Sequence, residues 1–163
     1  MQYLDTVISN WFINHQSRYL SILFRMISTL GAGHSMVIIY VSTWIFVPNF
    51  RRVVYTIVLG EIIGLCVILV FRRLVKRKRP CTNPQFLIPF PWHKNSFPSH
   101  HALRSAMLLV VVSQSFPNIF IFLLVIAGMV CFSRIYLTMH FLTDILAGII
   151  FGTIVGYLAI CMY

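Results

Sequence analysis

Between two long apolar runs, the stretch Ser133–Asp144 (SRIYLTMHFLTD) carries Arg134, His140 and Asp144. Asp144 stands four residues after His140, where a helix would place both side chains on one face. A carboxylate accepting from one imidazole nitrogen fixes the tautomer and raises the basicity of the other, which would equip His140 as a nucleophile or base. A His–Asp pair alone is as readily an interface histidine beside a carboxylate that compensates an arginine, but this pair has company. Pro98–His101 (PSHH) puts Ser99, His100 and His101 at the head of a helically patterned apolar segment. Ser is a favoured N-cap, and the unpaired amides from His100 onward would form an anion site. Arg72–Pro80 (RRLVKRKRP) adds guanidiniums, which beside such a helix N-terminus suit a phosphoryl group carrying two charges.

These residues need a scaffold, and composition indicates its kind. The chain has 163 residues, 59% hydrophobic and 10% charged, with a mean hydropathy of +0.86, too apolar for a soluble domain of this size. Val53–Phe71, Ile119–Ser133 and Ile145–Tyr163 are nearly uncharged, and at ~1.5 Å per residue the longer ones cross a ~30 Å hydrocarbon core. Ser35–Pro48 and Ala102–Phe116 are shorter and are read as helices inside a bundle. The N-terminal region, with Asp5, His15, Arg18 and Arg25, is expected in the interface or as a first, tilted span. It shows no signal-peptide pattern, so the first helix is expected to be retained. The expectation is an all-α integral membrane bundle of five or six transmembrane helices, in one domain over residues 1–163. Gly148, Gly152 and Gly156 form a stripe for close helix packing. Cys66, Cys81, Cys131 and Cys161 have no C-x-x-C spacing and read as packing residues.

A net charge of +10 raises nucleic acid or an anionic membrane as partner, but the distribution argues against nucleic acid. Seven of the thirteen Lys and Arg residues lie in one connection: Arg72, Arg73, Lys76, Arg77, Lys78, Arg79 and Lys94. A headgroup-binding cluster at a helix exit accounts for the cations; it does not account for the Pro-rich segment and PSHH that follow. Following the chain through the membrane brings this loop, the start of the helix after Ser99 and the turn from Arg134 to Asp144 to the same face.

The three segments resemble the three-part signature of the type 2 phosphatidic acid phosphatase (lipid phosphate phosphatase) superfamily, K-x6-R-P, P-S-G-H and S-R-x5-H-x3-D. The third matches at every defined position. Arg72 stands in place of the family's lysine, with Arg73 and Lys76 as nearby alternatives, and His100 in place of its glycine. The resemblance implies phosphoryl transfer through a phosphohistidine. His140 would be the nucleophile, Asp144 its orienting carboxylate and His101 the acid for the leaving oxygen and then the base for water. Arg72, Arg79, Arg134, Ser99 and the His100 amide would hold the phosphoryl oxygens. No metal or cofactor is implied. Substrates in the family include phosphatidic acid, phosphatidylglycerol phosphate, undecaprenyl diphosphate and lipid A phosphates; the partners expected are such a lipid phosphate and the surrounding membrane lipids. The family places the catalytic face outside, toward the periplasm of a bacterial inner membrane, whereas counting cations puts the Arg72–Lys94 loop in the cytoplasm.

Two other functions compete. A small transporter or channel would use Glu61, between Gly60 and Gly64, with histidines along a path, but the polar residues collect at one face. A zinc hydrolase would use His93, His100, His101, His140 and Asp144, but the arginines then oppose the cation. Arg104 is read as a headgroup contact or a snorkelling arginine, and Trp92 and Phe97 as interfacial aromatics.

Overall fold

The computed structural model of the chain describes residues 2–80 and 95–163. Cys81, Pro84, Pro89, Pro91, Trp92, His93 and Lys94 lie outside them. Among the described residues there are seven α-helices and no strand: α1 (Gln2–Asn14), α2 (Arg18–Leu30), α3 (Gly33–Phe46), α4 (Arg51–Leu74), α5 (His100–Ser115), α6 (Phe120–Tyr136) and α7 (Leu142–Met162). Pro48 and Pro117 open short 3-10 turns that lead into α4 and α6, a position where the missing N–H costs nothing. The apolar runs of the sequence fall inside α3 to α7.

Three stretches are long and apolar enough to cross a membrane, Pro48–Leu74, Pro117–Tyr136 and Leu142–Met162; α2 and α3, bent by 46° at their junction, would add a fourth as one broken span. The N-terminal region forms two helices, α1 and α2. Its turn is tied to α6, where Gln16 Nε2 donates to the Tyr136 carbonyl (2.8 Å) and the Ser17 amide to the Tyr136 hydroxyl (3.0 Å). α5 has 16 residues and its flank against α4, α6 and α7 is buried, so it is sheltered by protein.

Glycine sets how closely α5 and α7 approach. They form the most extensive helix pair. A Cβ at Gly148 would come to 2.6 Å from the Ser99 carbonyl oxygen and one at Gly156 to 2.9 Å from Val110 Cβ, while one at Gly152 would fall on the Leu103 carbonyl. On the other flank, Gly60 and Gly64 of α4 admit Met107 and Leu103. The apolar centre is Ile57, Met107, Val111 and Val155, whereas Ile62, Leu65, Phe122 and Ile150 face outward.

Arg104 is neither a snorkelling nor a headgroup residue. Its Nε and Nη2 donate to Glu61 Oε1 and Oε2 (2.5 and 2.8 Å) and its Nη1 to the Gly31 carbonyl at the α2–α3 bend (2.8 Å). Tyr40 donates to the same carboxylate at 3.1 Å. A charge inside an apolar bundle is tolerated when paired and bonded in this way.

Gly152→Ala should lower the melting temperature in detergent, since the backbone of α5 must give way at a cost of about 1–3 kcal/mol. Gly128→Ala is the control: a Cβ there meets nothing within 4 Å, so helix propensity should leave stability unchanged or raised by up to ~1 kcal/mol. Equal melting temperatures for the two variants would contradict the close-packed stripe.

Candidate active site

Helix ends from both halves of the chain meet at one end of the bundle. The last turn of α4 delivers Arg72, which is buried, whereas the alternative cations Arg73 and Lys76 are exposed. The extended segment after α4 is fixed through its backbone: Asn95 Nδ2 donates to the Arg72 carbonyl (2.7 Å), the Ser96 amide to that of Arg77 (2.8 Å) and the Ser96 hydroxyl to that of Lys78 (3.2 Å). This carries Arg79 back over the helix ends.

Ser99 occupies the N-cap position of α5 with extended backbone, but its hydroxyl makes no capping bond, contrary to the expected role. Its amide instead donates to the Asp144 carbonyl (3.0 Å), a consequence of the glycine stripe that presses α5 against α7. The Ser99 Oγ and the Arg134 Nε are buried and make no hydrogen bond among the described residues. Buried polar atoms are ordinarily paired, so these two are groups a phosphoryl oxygen would satisfy. His100 sits in the first helical turn without a positive φ. Its imidazole lies 3.4 Å from Arg104 Nη2 and 3.9 Å from Glu61 Oε2, turned toward that ion pair. His101 is within electrostatic reach of Arg134 and His140 and rests on the α2–α3 bend, where a Cβ on Gly31 would approach its Cδ2 to 2.9 Å.

The turn between α6 and α7 is wound tightly around the Arg134 carbonyl, which accepts from the amides of Met139 (3.1 Å) and His140 (3.3 Å), with Thr138 at φ 51°. His140 and Asp144 do not share a helix as the spacing suggests, because α7 starts at Leu142. They still face one another: Asp144 Oδ2 accepts the Phe141 amide (2.9 Å) and lies 3.6 Å from His140 Nδ1. On the ring's other side, Arg79 Nη1 is 3.2 Å from His140 Nε2. A guanidinium only donates, so Nε2 is the acceptor and the neutral ring holds its proton on Nδ1, toward the carboxylate. That leaves Nε2 with the lone pair a nucleophile needs. Burial above all, and then Arg79, Arg134 and Arg72, hold the His140 pKa well below the usual histidine range.

All of the chain's side-chain carboxylates are engaged by arginines. Asp5 and Asp144 both bind Arg77, and Glu61 binds Arg104. Around His140, among the described residues, Arg72, Arg77, Arg79 and Arg134 therefore face Asp5 and Asp144, a surplus of two positive charges. Among the described residues no group of three or more His, Cys, Asp or Glu side chains could hold a metal ion; His93 lies outside them.

A model of the PAP2 superfamily matches residues 49–163, which include Arg72, Arg79, Ser99, His100, His101, Arg134, His140 and Asp144. The chain belongs to the PAP2 superfamily. It is 32% identical over 101 residues, 57% of its length, to a lipid A 4'-phosphatase of Porphyromonas gingivalis, and spans 43% of that relative's length. Its fold matches that of a transmembrane PAP2 type phosphatidylglycerolphosphate phosphatase from Bacillus subtilis, with TM-score 0.80 and 23% identity over 99% of this chain and 85% of the other. It also matches LpxE of Aquifex aeolicus, with TM-score 0.78 and 22% identity over 98% and 94%. Helices α1 to α3, which precede the matched residues, are thus part of a fold seen elsewhere in this superfamily. The transporter reading loses its basis, since Glu61 is locked to Arg104 by two hydrogen bonds.

The sequence did not point to Arg77, Thr143, Ser28 or Asp5. Ser28 accepts from Arg134 Nη1 at 2.5 Å, and the other three bind one another and Asp144. Only the scarcity of acids could have singled out Asp5.

An ordinary histidine gains its proton near pH 6.5. His140, with its pKa held lower, should stay neutral with Nδ1 protonated as the pH falls from 7.5 through 6.5. Nitrogen-15 NMR of histidine-labelled protein, with His140→Ala to assign the resonance, should show no titration there. A midpoint at or above 6.5 would contradict the assigned state.

Proposed function

We propose that this protein is a metal-independent phosphatase of membrane lipid phosphates, working through a phosphohistidine on His140. One observation carries the reading: the neutral Nε2 of His140 is met by a guanidinium, with two more within electrostatic reach, at the end of an apolar bundle. The Nε2 lone pair attacks phosphorus; the P–O bond to the lipid breaks as the N–P bond forms. His101 gives its proton to the departing oxygen. Water then attacks phosphorus, His101 takes the water's proton, and the N–P bond breaks to return His140 and inorganic phosphate. Arg72, Arg79, Arg134, the Ser99 hydroxyl and the His100 amide hold the equatorial oxygens, where charge accumulates in the transition state.

An amphiphilic substrate fits the surroundings. A cavity of about 480 Å³ between α3, α4, α5 and α6 is lined by apolar residues such as Met36, Ile39, Leu108 and Ile126. Gly31 and Arg104 border it, and Gly31 is the residue on which His101 rests. The relatives support a lipid A phosphate or phosphatidylglycerol phosphate as substrate; undecaprenyl diphosphate and phosphatidic acid share the required chemistry. Taking the bent α2–α3 pair and α5 as crossings beside the three long spans gives five, with α1 as interfacial helix or sixth, in one domain over residues 1–163. The catalytic face is outside, toward the periplasm of a bacterial inner membrane. Its cations are accounted for by phosphate, and Arg51 and Arg52 anchor the opposite face inside.

Purified protein in detergent should release phosphate from such lipids in excess EDTA at an unchanged rate; loss of activity restored by Zn²⁺ would contradict the metal-free mechanism. His140→Ala should form no acid-labile phosphoenzyme in rapid-quench assays. His101→Ala should be slowed most with lipid alkoxide leaving groups and partly restored with a phenolic phosphate, whose oxygen needs less protonation. Equal losses for both substrates would remove His101 as the acid.

A further inference from the structure

The carboxylate that faces the nucleophile is itself held by a network of residues that the motifs leave undefined. Arg77 Nη1 donates to Asp144 Oδ1 (2.7 Å) and to Thr143 Oγ1 (2.6 Å), and its Nη2 donates to Asp5 Oδ2 (2.6 Å). Asp5, on α1, also accepts from the Thr143 amide (3.2 Å) and hydroxyl. The Asp5 and Asp144 side chains are 3% and 0% exposed, so this is a desolvated pair of carboxylates sharing one guanidinium. The guanidinium, on a side chain 21% exposed, also stacks over the Phe141 ring at 4.1 Å, and the Arg77 backbone carbonyl accepts the Ser96 amide. Arg77 holds Oδ1 and the Phe141 amide holds Oδ2, the oxygen that faces His140.

We propose that Arg77 and Asp5 are positioning residues for phosphoryl transfer: Arg77 fixes the rotamer of Asp144 and keeps it ionised, and Asp5 fixes Arg77, so that α1 is coupled to the nucleophile. Neither touches the substrate in this scheme. The assignment rests on the phosphatase reading and adds to it a control by Arg77, at a position the first motif leaves undefined, and by Asp5, outside all three motifs. Its physical basis is that two buried carboxylates without a cation between them repel and favour protonation of one. A protonated or rotated Asp144 no longer sets a negative charge 3.6 Å from His140 Nδ1, and the phosphoimidazolium formed on attack loses its counter-charge. The planar, two-sided fork of arginine bridges two carboxylates; the point charge of lysine does so poorly.

The test compares wild type, Arg77→Gln, Arg77→Lys, Asp5→Asn and the double variant Arg77→Gln/Asp5→Asn in detergent. Melting temperature, vanadate affinity and single-turnover phosphoenzyme formation on a lipid phosphate are followed in each. Arg77→Gln should slow phosphoenzyme formation about 10- to 100-fold with KM and vanadate affinity changed less than about threefold, because the phosphate-binding arginines remain. Arg77→Lys should recover part of the rate. The double variant should be no slower than Arg77→Gln alone, since Asp5 acts through Arg77. Should Arg77→Gln fail to fold, Arg77→Lys and Asp5→Asn carry the same comparison, with slower phosphoenzyme formation at unchanged vanadate affinity as the expected result. A wild-type rate in the Arg77 and Asp5 variants would overturn the proposal, and so would vanadate affinity falling in step with the rate, which would make Arg77 a phosphate ligand. A wild-type protein that forms no phosphoenzyme would sink the phosphatase reading instead.

Discussion

Surplus positive charge at one end of an apolar bundle is the constraint on which the rest of the structure depends. Two unit charges about 4 Å apart interact by roughly 4 kcal/mol in the partly solvated environment of a protein surface. Gathering Arg72, Arg79 and Arg134 around a neutral histidine is therefore costly unless something offsets it. Helix geometry offsets part: Arg72 and Arg134 are in the last turns of α4 and α6, where the macrodipole favours cations, and Asp144 is in the first turn of α7, where it favours an anion. The acids do not neutralise the remainder, because all three are committed to Arg77 and Arg104. A phosphoryl dianion is the ligand that this imbalance fits.

The glycine stripe is the mechanical counterpart of that charge arrangement. Removing side chains from one face of α7 lets its backbone approach α5 closely enough for the Ser99 amide to bond the Asp144 carbonyl. Two of the three motif segments are thereby tied through main-chain atoms. The third, which begins at Arg72, is tied through the carbonyls of Arg72, Arg77 and Lys78 to Asn95 and Ser96, just before Pro98–His101. Main-chain ties depend little on side-chain rotamers, which suits a site that must hold a transition state to fractions of an ångström. The Glu61–Arg104 pair does similar work deeper in the bundle, holding α4, α5 and the α2–α3 bend together beneath His101.

What could be read from the sequence was what is local in it. The spacing of Arg134, His140 and Asp144 and the apolar runs of α3 to α7 are properties of single segments. The glycine stripe was equally legible, since period-four glycines on an apolar helix have few other uses. The exceptions share a cause. Asp5 meets Arg77 across 72 residues of sequence, and no local pattern encodes that meeting. Ser99 has the residue type and backbone of a cap, yet the approach of α7 redirects its hydrogen bonds. His140 and Asp144 meet without a common helix, because the turn around the Arg134 carbonyl ends before α7 begins. Arg104 resembled a snorkelling residue because its partner is on another helix. That Arg72 is buried while Arg73 and Lys76 are exposed depends on which face of the last turn of α4 packs inward and where α4 ends.

The central claim is that the surplus cations hold a phosphoryl group in line with His140 Nε2. An experimentally determined structure of the protein with vanadate tests it most directly. The account predicts trigonal-bipyramidal vanadate bonded axially to Nε2 of His140, its equatorial oxygens on Arg72, Arg79, Arg134 and Ser99, and its far axial oxygen toward His101. Vanadate bound elsewhere in the protein, or beside His140 without a bond to Nε2 and with His101 away from the apical oxygen, would contradict it.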